Sequence, residues 1–386
     1  MKIAYAVPHQ VTGAVGQRVQ GVARALLSTG HVDEVTVLGP AHDINENELP
    51  GLSLRVVEQL NPGPRTATDK LLRRARLGNA TRALLDSMAV LPDLVIGYGG
   101  GALYMNRLQE WARNRKVKIA ADIVEWYDSG HLPMGKLGPF ALDNHLMMTR
   151  VAPRCDGVLT VSTFLAHHFH QRGNQQVLIV PPVLDALALK NRSEPHPPGR
   201  TELVYCGDPG KKDRLDLVLR AAIQIDPYGH RLRVTVAGPN PQQVAKLAGV
   251  DTLPPVVNAV GRLSRPESMD LVGNADWMPL IRDDLRFARA GFPTKVAEAM
   301  SFGTPIMANL TSDLGQLLEH DANGIVIRGA DLAAIQEALM HALEIRPVEY
   351  EHIRKAARST ALSFFDYREY VVPLTEWLDR VMNKES

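Results

Sequence analysis

The sequence predicts an α/β protein of two domains, and three observations carry that reading. The first half opens with strand, glycine-bearing loop and helix: the apolar run Lys2–Val7, the loop His9–Gly16, and helical spacing through Val19, Val22, Ala23, Leu26 and Leu27 over Gln17–Ser28. The second half restarts in the same order, with Leu203–Cys206, the loop Gly207–Lys212 and a helix over Arg214–Ala222. Between the two, KNRSEPHPPGR within Ala186–Arg200 is polar and proline-rich, the composition of a domain boundary. The bulk numbers agree, since 386 residues exceed what one core usually serves, and 45% hydrophobic with 22% charged residues is ordinary globular composition.

Composition also excludes several classes. A net charge of +1 argues against a general nucleic-acid binder. Cys155 and Cys206 give neither a disulfide framework nor a metal spacing and fit a reducing cytosol. The opening MKIAYAVPHQ reads directly as a strand, without the apolar region of a signal peptide, and no apolar run approaches the ~20 residues that span a bilayer. A cytoplasmic location is expected. The loop TGAVGQ lacks the G-x-G-x-x-G spacing of a dinucleotide fingerprint, which disfavours a nicotinamide dehydrogenase. No Ser-His-Asp order, zinc spacing or Walker loop is present.

In chain order, Glu34–Leu38 and Ser53–Val57 are the next strands, and Asn61–Thr68 is a loop. From Asp69 to Leu85, leucines at helical spacing among Lys70, Arg73, Arg74, Arg76 and Arg82 make a basic amphipathic helix. It suits either a solvated surface or an anionic membrane face. Asp93–Gly97 leads into the glycine loop Tyr98–Gly101. The strand Val117–Val124 delivers Asp122, Glu125, Trp126, Tyr127, Asp128 and His131 to its carboxyl end, where open α/β sheets bind ligands. This cluster reads equally as a binding site and as packing. Gly157–Val161 is a strand, followed by a helix over Phe164–His170 capped at Ser162-Thr163. His167, His168 and His170 have no acidic companion, so they read as solvated histidines, and no metal is expected. Leu178–Val180 is a strand ended by Pro181-Pro182.

In the second half, Arg233–Ala237, Val256–Gly261 and Asp276–Leu280 read as strands and Glu267–Val272 as a helix. Ile281–Phe292 is a charged loop carrying Arg282, Asp283, Asp284, Arg286 and Arg289, with Gly291 as its flexible point. Pro293 suits the first turn of a helix over Thr294–Phe302, where its missing N–H costs nothing. A glycine-bearing loop opening a helix offers free N–H groups and the positive dipole end to a phosphate. Glu298, one turn further in, can accept hydrogen bonds from a ribose diol; an ordinary αβ unit with Glu298 on a solvated face fits the spacing as well. Thr304–Ala308, the turn Asn323-Gly324 and Ile325–Ile327 follow, then helices over Asp331–Ala342, Val348–Leu362 and Tyr367–Met382.

The stretch GFPTKVAEAMSFGTPIMAN…NGIVI, within Phe287–Ile327, resembles the donor-binding segment of GT-B glycosyltransferases of the retaining family 4-like group. That segment carries two glutamates around the helix start; the second is Glu298 here, Gly303-Thr304-Pro305-Ile306 follows in register, and the first falls on Ala290. The resemblance implies two Rossmann-like domains facing a central cleft: an acceptor domain over 1–185, a nucleotide-sugar domain over 186–363, and a last helix, 364–386, crossing back onto the first domain. PPVLD keeps the family's aspartate at Asp185.

The same resemblance assigns donor binding to Gly207, Arg286, Arg289, Phe292, Pro293, Thr294, Lys295 and Glu298. In the family an arginine follows the glycine of the first donor-domain loop; here it is Asp208, which leaves Lys211 or Lys212 to neutralise the diphosphate as catalytic cations. Glu125 and Asp128 take the catalytic place on the acceptor side, in the absence of the family's His-Asp pair, with Gly13, Gly16, Trp126 and His131 lining the acceptor end.

The implied activity is retaining transfer of a sugar from a UDP- or GDP-linked donor to a glycan, lipid-linked or small-molecule acceptor, without cofactor, metal or nucleic acid. Peripheral contact with an anionic membrane through 69–85, on its cytoplasmic face, and a role in polysaccharide biosynthesis go with it. Two alternatives share the architecture: a nucleotide-sugar 2-epimerase, and an inactive sugar-nucleotide-binding partner of another transferase, which the losses at Ala290 and Asp208 suggest.

Overall fold

The structure is a computed structural model that describes residues 1–40, 49–57, 78–128, 135, 138–189, 199–210 and 212–383. Lys211, His131, the basic positions Lys70, Arg73, Arg74 and Arg76, and most of the proline-rich linker lie outside the described residues. The chain forms two units, one of Met1–Leu184, Arg289–Phe292 and Tyr367–Ser386, the other of Asp185–Ala288 and Pro293–Asp366.

In the first unit the strands are β1 (Lys2–Ala6), β2 (Glu34–Gly39), β3 (Leu52–Val56), β4 (Leu94–Tyr98), β5 (Lys118–Ile123), β6 (Gly157–Thr160) and β7 (Val177–Ile179). They pair in parallel in the order β3-β2-β1-β4-β5-β6-β7. The order reverses beside β1, so the carboxyl ends of β1 and β4 flank a switch point, the place where doubly wound sheets bind ligands. The near-continuous apolar runs are explained by burial on both faces: β4 and β6 are buried at every position.

The core gathers Ile3, Tyr5, Val22, Leu26, Val35, Ile96 and Leu159 and continues into Leu374, Trp377 and Leu378 of the last helix, Val371–Asn383. Trp377 is fully buried, and its indole N–H donates to the Gln176 carbonyl at 3.0 Å. Gly157 on β6 makes room for it, because a Cβ there would stand 2.6 Å from the indole ring.

The first helix begins at Gly13, not Gln17. Gly16 therefore sits inside the first turn, buried, with its N–H donating to the Thr12 carbonyl at 3.3 Å. The loop expected over His9–Gly16 is correspondingly short, and Gly13, at φ +56°, is its turning residue.

In the second unit β8 (Thr201–Cys206), β9 (Leu232–Ala237) and β10 (Val257–Gly261) form a parallel sheet in the order β10-β9-β8. A second parallel sheet orders β11 (Met278–Leu280), β12 (Ile306–Ala308) and β13 (Gly324–Val326) consecutively. A parallel bridge between Leu203 and Trp277 joins β8 to the strand leading into β11, so both sheets share one core around Leu203, Val234, Trp277, Ile325 and Leu339. One difference from the sequence reading bears on the site. Arg286–Ala290 is a turn of helix and not loop, because the turn buries Phe287, Ala288 and Ala290 while leaving Arg289 outside.

Candidate donor site and strand-end clusters

The glycine loop after β8 is shaped by backbone that only glycine adopts easily. Gly207 has φ +115° and Gly238, after β9, has φ +123°; a Cβ on Gly238 would meet the Gly207 carbonyl at 2.6 Å. Gly207 is also what lets a lysine come close, since a Cβ there would stand 3.1 Å from Lys295 Cε.

Lys295 lies in the first turn of the helix Thr294–Ser301. Pro293 is the residue before that helix, at φ −75° and ψ 116°, and supplies no side-chain cap. Proline cannot cap, and the Val296 N–H donates to the Pro293 carbonyl at 3.1 Å, so the first-turn N–H groups left to an acceptor are those of Thr294 and Lys295.

Around Lys295 the second unit builds a charged cluster that sequence reasoning missed. The ammonium donates to Asp213 Oδ2 at 2.7 Å and to the Tyr205 hydroxyl at 2.6 Å. Tyr205 in turn donates to Asp213 Oδ2 at 2.6 Å, and Arg282 Nε donates to Asp213 Oδ1 at 2.8 Å. Asp213 and Arg282 are buried. Burial pushes the Asp213 carboxyl up, but Lys295 and Arg282 beside it outweigh burial and hold it below its ordinary value. Burial lowers the Lys295 ammonium, and Asp213 opposes that without cancelling it. Burial, then Asp213, hold the Tyr205 phenol well above its normal range.

Three more bonds fix the loop carrying Arg282. Its N–H donates to Asn309 Oδ1 at 2.9 Å, Asn309 Nδ2 donates back to its carbonyl at 2.7 Å, and Arg214 reaches Asp283 at 3.0 Å.

Glu298 lies one turn beyond Lys295, its side chain 15% exposed, and accepts from Arg265 at 3.2 Å. It is not on an open solvated face. Its charge reaches Cys206 at the end of β8, whose thiol burial pushes up to about 12 with Glu298 adding to the effect. Glu298 thus belongs to the same strand ends as Gly207 and Lys295.

The remaining donor candidates divide. Arg286 is half-buried and Lys212 is half-buried on the loop after β8, whereas Arg289 and Phe292 fall in Arg289–Phe292, which groups with the first unit. There Ser162 Oγ donates to the Ala290 carbonyl at 2.7 Å. The charged stretch read as one donor loop is therefore split, and Arg282, not the residues nearest the helix, makes the buried ion pair.

In the first unit the strand ends hold a second buried charge cluster. Arg18, on the first helix, bonds Asp122 of β5 in two places, at 3.1 and 2.8 Å, and donates to the carbonyls of Val180 and Pro181. Tyr5 of β1 also donates to Asp122. Arg18 and Asp122 are 3% and 0% exposed, so this pair ties β1, β5 and the segment after β7 together.

Glu125 and Asp128 are half-buried just beyond. Burial lowers the His9 imidazole, and Glu125 pulls the other way, which places the two electrostatically together. Trp126 stacks toward His168 at 4.2 Å and Phe164 at 6.2 Å, so it packs on the helix Thr163–Gln171.

The three histidines of that helix do not converge. His167 meets Gln171 at 2.7 Å, His168 the Met148 carbonyl at 3.0 Å, and His170 the Asn174 carbonyl at 3.2 Å. Among the described residues His320, Asp321 and His341 form a group able to hold a metal ion, with ligand atoms within 4.8 Å of one another. It is exposed, Val326 N–H donates to His320 Nδ1 at 3.2 Å, and Asp321 already bonds His341 at 2.7 Å. A cavity of about 750 Å³ lies at the amino end of β8, by Thr201, Trp277 and Tyr350, the opposite end from Gly207. Among the described residues no helix is long and apolar enough to cross a membrane.

Two units, each of parallel strands with glycine loops and charged clusters at the strand ends, define the double-Rossmann class of α/β proteins. The model of the glycosyl transferase 4-like domain matches residues 13–182 and that of glycosyl transferases group 1 matches residues 189–360. The chain belongs to the family 4-like glycosyltransferases of the GT-B fold.

Its fold is similar to that of sucrose-phosphate synthase from Thermosynechococcus elongatus, at 14% identity over 99% of each chain with a TM-score of 0.74. It is also similar to a glycosyltransferase from Rickettsia africae, at 12% identity over 100% of this chain and 99% of that one, with a TM-score of 0.71. The Anabaena protein HepE in complex with UDP and glucose matches at 13% identity over 98% and 99% of the two chains, with a TM-score of 0.68. No curated protein matches the sequence.

Proposed function

We propose that the chain is a retaining glycosyltransferase whose second unit takes a UDP- or GDP-linked sugar. The observation that carries this reading is the cluster at the end of β8. An uncapped helix start carries Lys295 against Gly207, Arg282 stands behind it, and Glu298 lies one turn further along. Helix N–H groups, the dipole and fixed cations suit a diphosphate, and a carboxylate suits a ribose diol. The similar Anabaena fold was solved with UDP and glucose, which supports the same ligand class here.

Transfer asks for charge placement more than covalent chemistry. The bond from the sugar's anomeric carbon to the diphosphate breaks, the bond to the acceptor oxygen forms on the same face, and the acceptor proton passes to the departing phosphate oxygen. Lys295, with Arg282 behind it and Lys211 or Lys212 on the glycine loop, stabilises the leaving charge. No enzymic nucleophile takes part, and neither cofactor nor metal is required. The first unit takes the acceptor, a glycan, a lipid-linked intermediate or a small molecule, at Glu125 and Asp128. A place in polysaccharide biosynthesis, at the cytoplasmic face of an anionic membrane contacted through 69–85, accords with such an acceptor.

Nucleoside diphosphate release from UDP- and GDP-sugars, followed with and without candidate acceptors, tests the reading. Acceptor-dependent release with retained anomeric configuration supports it. Nucleotide-sugar binding without turnover on any acceptor would instead indicate an inactive partner, to which Asp208 and Ala290 would then testify.

A further inference from the structure

Resting on the reading of the second unit as a nucleotide-sugar site, we propose that Asp213 is a positioning residue for donor binding: it holds the Lys295 ammonium, charged, beneath Gly207. Three donors converge on its carboxylate, Lys295 at 2.7 Å, Arg282 at 2.8 Å and Tyr205 at 2.6 Å. Two cations on one carboxylate, Arg282 buried and Lys295 partly buried, leave a net positive charge of one at the helix start, before the dipole is counted. Without the carboxylate, Lys295 and Arg282 would repel one another across a site that water hardly reaches. The lysine would keep only the Tyr205 hydroxyl and ring to hold it under the glycine, and would lose its ionic anchor. Asp213 itself lies behind the lysine, bonded to groups of the protein, so its effect on a diphosphate runs through Lys295.

The groups facing Lys295 come from every element around it. They are Tyr205 and Cys206 from β8, Asp213 from the following loop, and Arg282 from the loop after β11. Asp208 acts on Tyr205 and Glu298 on Cys206, one step further out. Burial and Arg282 drive the Lys295 proton off, while Asp213 and Cys206 keep it on. Deleting the Asp213 charge removes the one anion that, among the described residues, bonds the ammonium directly.

Calorimetric titration of UDP and GDP from pH 6 to 9.5 separates this from a merely structural role. The wild type is expected to hold its affinity further into alkaline pH than Asp213→Asn does, because Asp213 opposes the loss of the Lys295 proton that burial favours. Asp213→Asn is expected to bind within about threefold of wild type at pH 6 and to lose affinity at a lower pH than the wild type does, by about tenfold per pH unit once the lysine gives up its proton. Asp213→Glu is expected to restore the wild-type profile. In a Lys295→Met background, Asp213→Asn is expected to change affinity less than about twofold, because the residue it acts through is gone.

A uniform loss at every pH, or full additivity with Lys295→Met, would overturn the proposal. Should Asp213→Asn not fold, Asp213→Ser is titrated in its place, and an alkaline profile equal to that of the wild type would show that Asp213 does not keep the ammonium charged. Wild-type protein that binds neither UDP nor GDP at any pH would overturn the site reading itself, a result distinct from any of these.

Discussion

The Lys295 ammonium meets the Asp213 carboxylate at 2.7 Å directly under Gly207, whose missing side chain leaves the lysine its place. Glycine, lysine and aspartate come from the end of β8, the helix after it in space and the loop between. Each constrains the others.

Alanine at Gly207 tests that dependence. The residue would have to hold φ +115° and press a methyl to 3.1 Å from Lys295. The strain is of order 1–3 kcal/mol, and part of it is relieved by displacing the lysine. The expected result is a nucleotide affinity at least about tenfold weaker, with a smaller loss of thermal stability, both read by titration and melting of the same variant.

Lys295→Met and the paired change Lys211→Ala with Lys212→Ala compare the two sets of cations. Loss of fixed charge at a leaving group costs on the order of 3 kcal/mol, about a hundredfold in kcat. Lys295, held by Asp213, is expected to show the full effect. Activity that survives the loop double variant would leave the diphosphate to Lys295 and Arg282.

Glu298→Ala is expected to weaken nucleotide binding by about 1–3 kcal/mol, the cost of losing a charged hydrogen-bond acceptor. Its present partner, Arg265, is half exposed, so little of the change should appear as instability. Unchanged affinity for UDP and GDP would remove Glu298 from the site.

Much of this was legible in the sequence, for identifiable reasons. Strands buried on both faces read as apolar runs, and Ser162 before Phe164 gave its helix start away; its hydroxyl does accept from the Leu165 N–H at 3.4 Å. The helix start at Thr294 and Glu298 were found because proline, glycine and spacing are local signals. The Asp213–Lys295–Arg282 cluster was not, since it joins residues 69 and 82 positions apart that no local pattern relates. Arg18 with Asp122, 104 positions apart, escaped for the same reason. The helix Pro241–Ala248 did carry a local signal, the capping box of Asn240 and Gln243, which periodicity alone passes over.

Arg18→Met should be among the most damaging changes in the first unit. It leaves Asp122, fully buried, with an uncompensated charge, at a cost of about 3–5 kcal/mol. Denaturant unfolding is the measurement, and adding Asp122→Asn should recover part of the loss.

Acid should act on the second unit through Asp213. Its folded pKa lies below the unfolded value of about 4, so its stabilising contribution is fully present above pH ~4 and is lost as pH falls through the folded value. Wild-type melting temperature is expected to drop across that acid window more steeply than that of Asp213→Asn, with the two curves converging at the acid end.

The most direct measurement is a thermal-shift panel of UDP- and GDP-sugars against wild type and Lys295→Met. A donor at a hundred times its Kd stabilises the folded protein by about 2.7 kcal/mol, a shift of a few degrees. The account predicts such a shift for at least one UDP- or GDP-sugar with wild type and its loss with Lys295→Met. A panel that leaves wild type unmoved, or a shift that survives in the lysine variant, would contradict it.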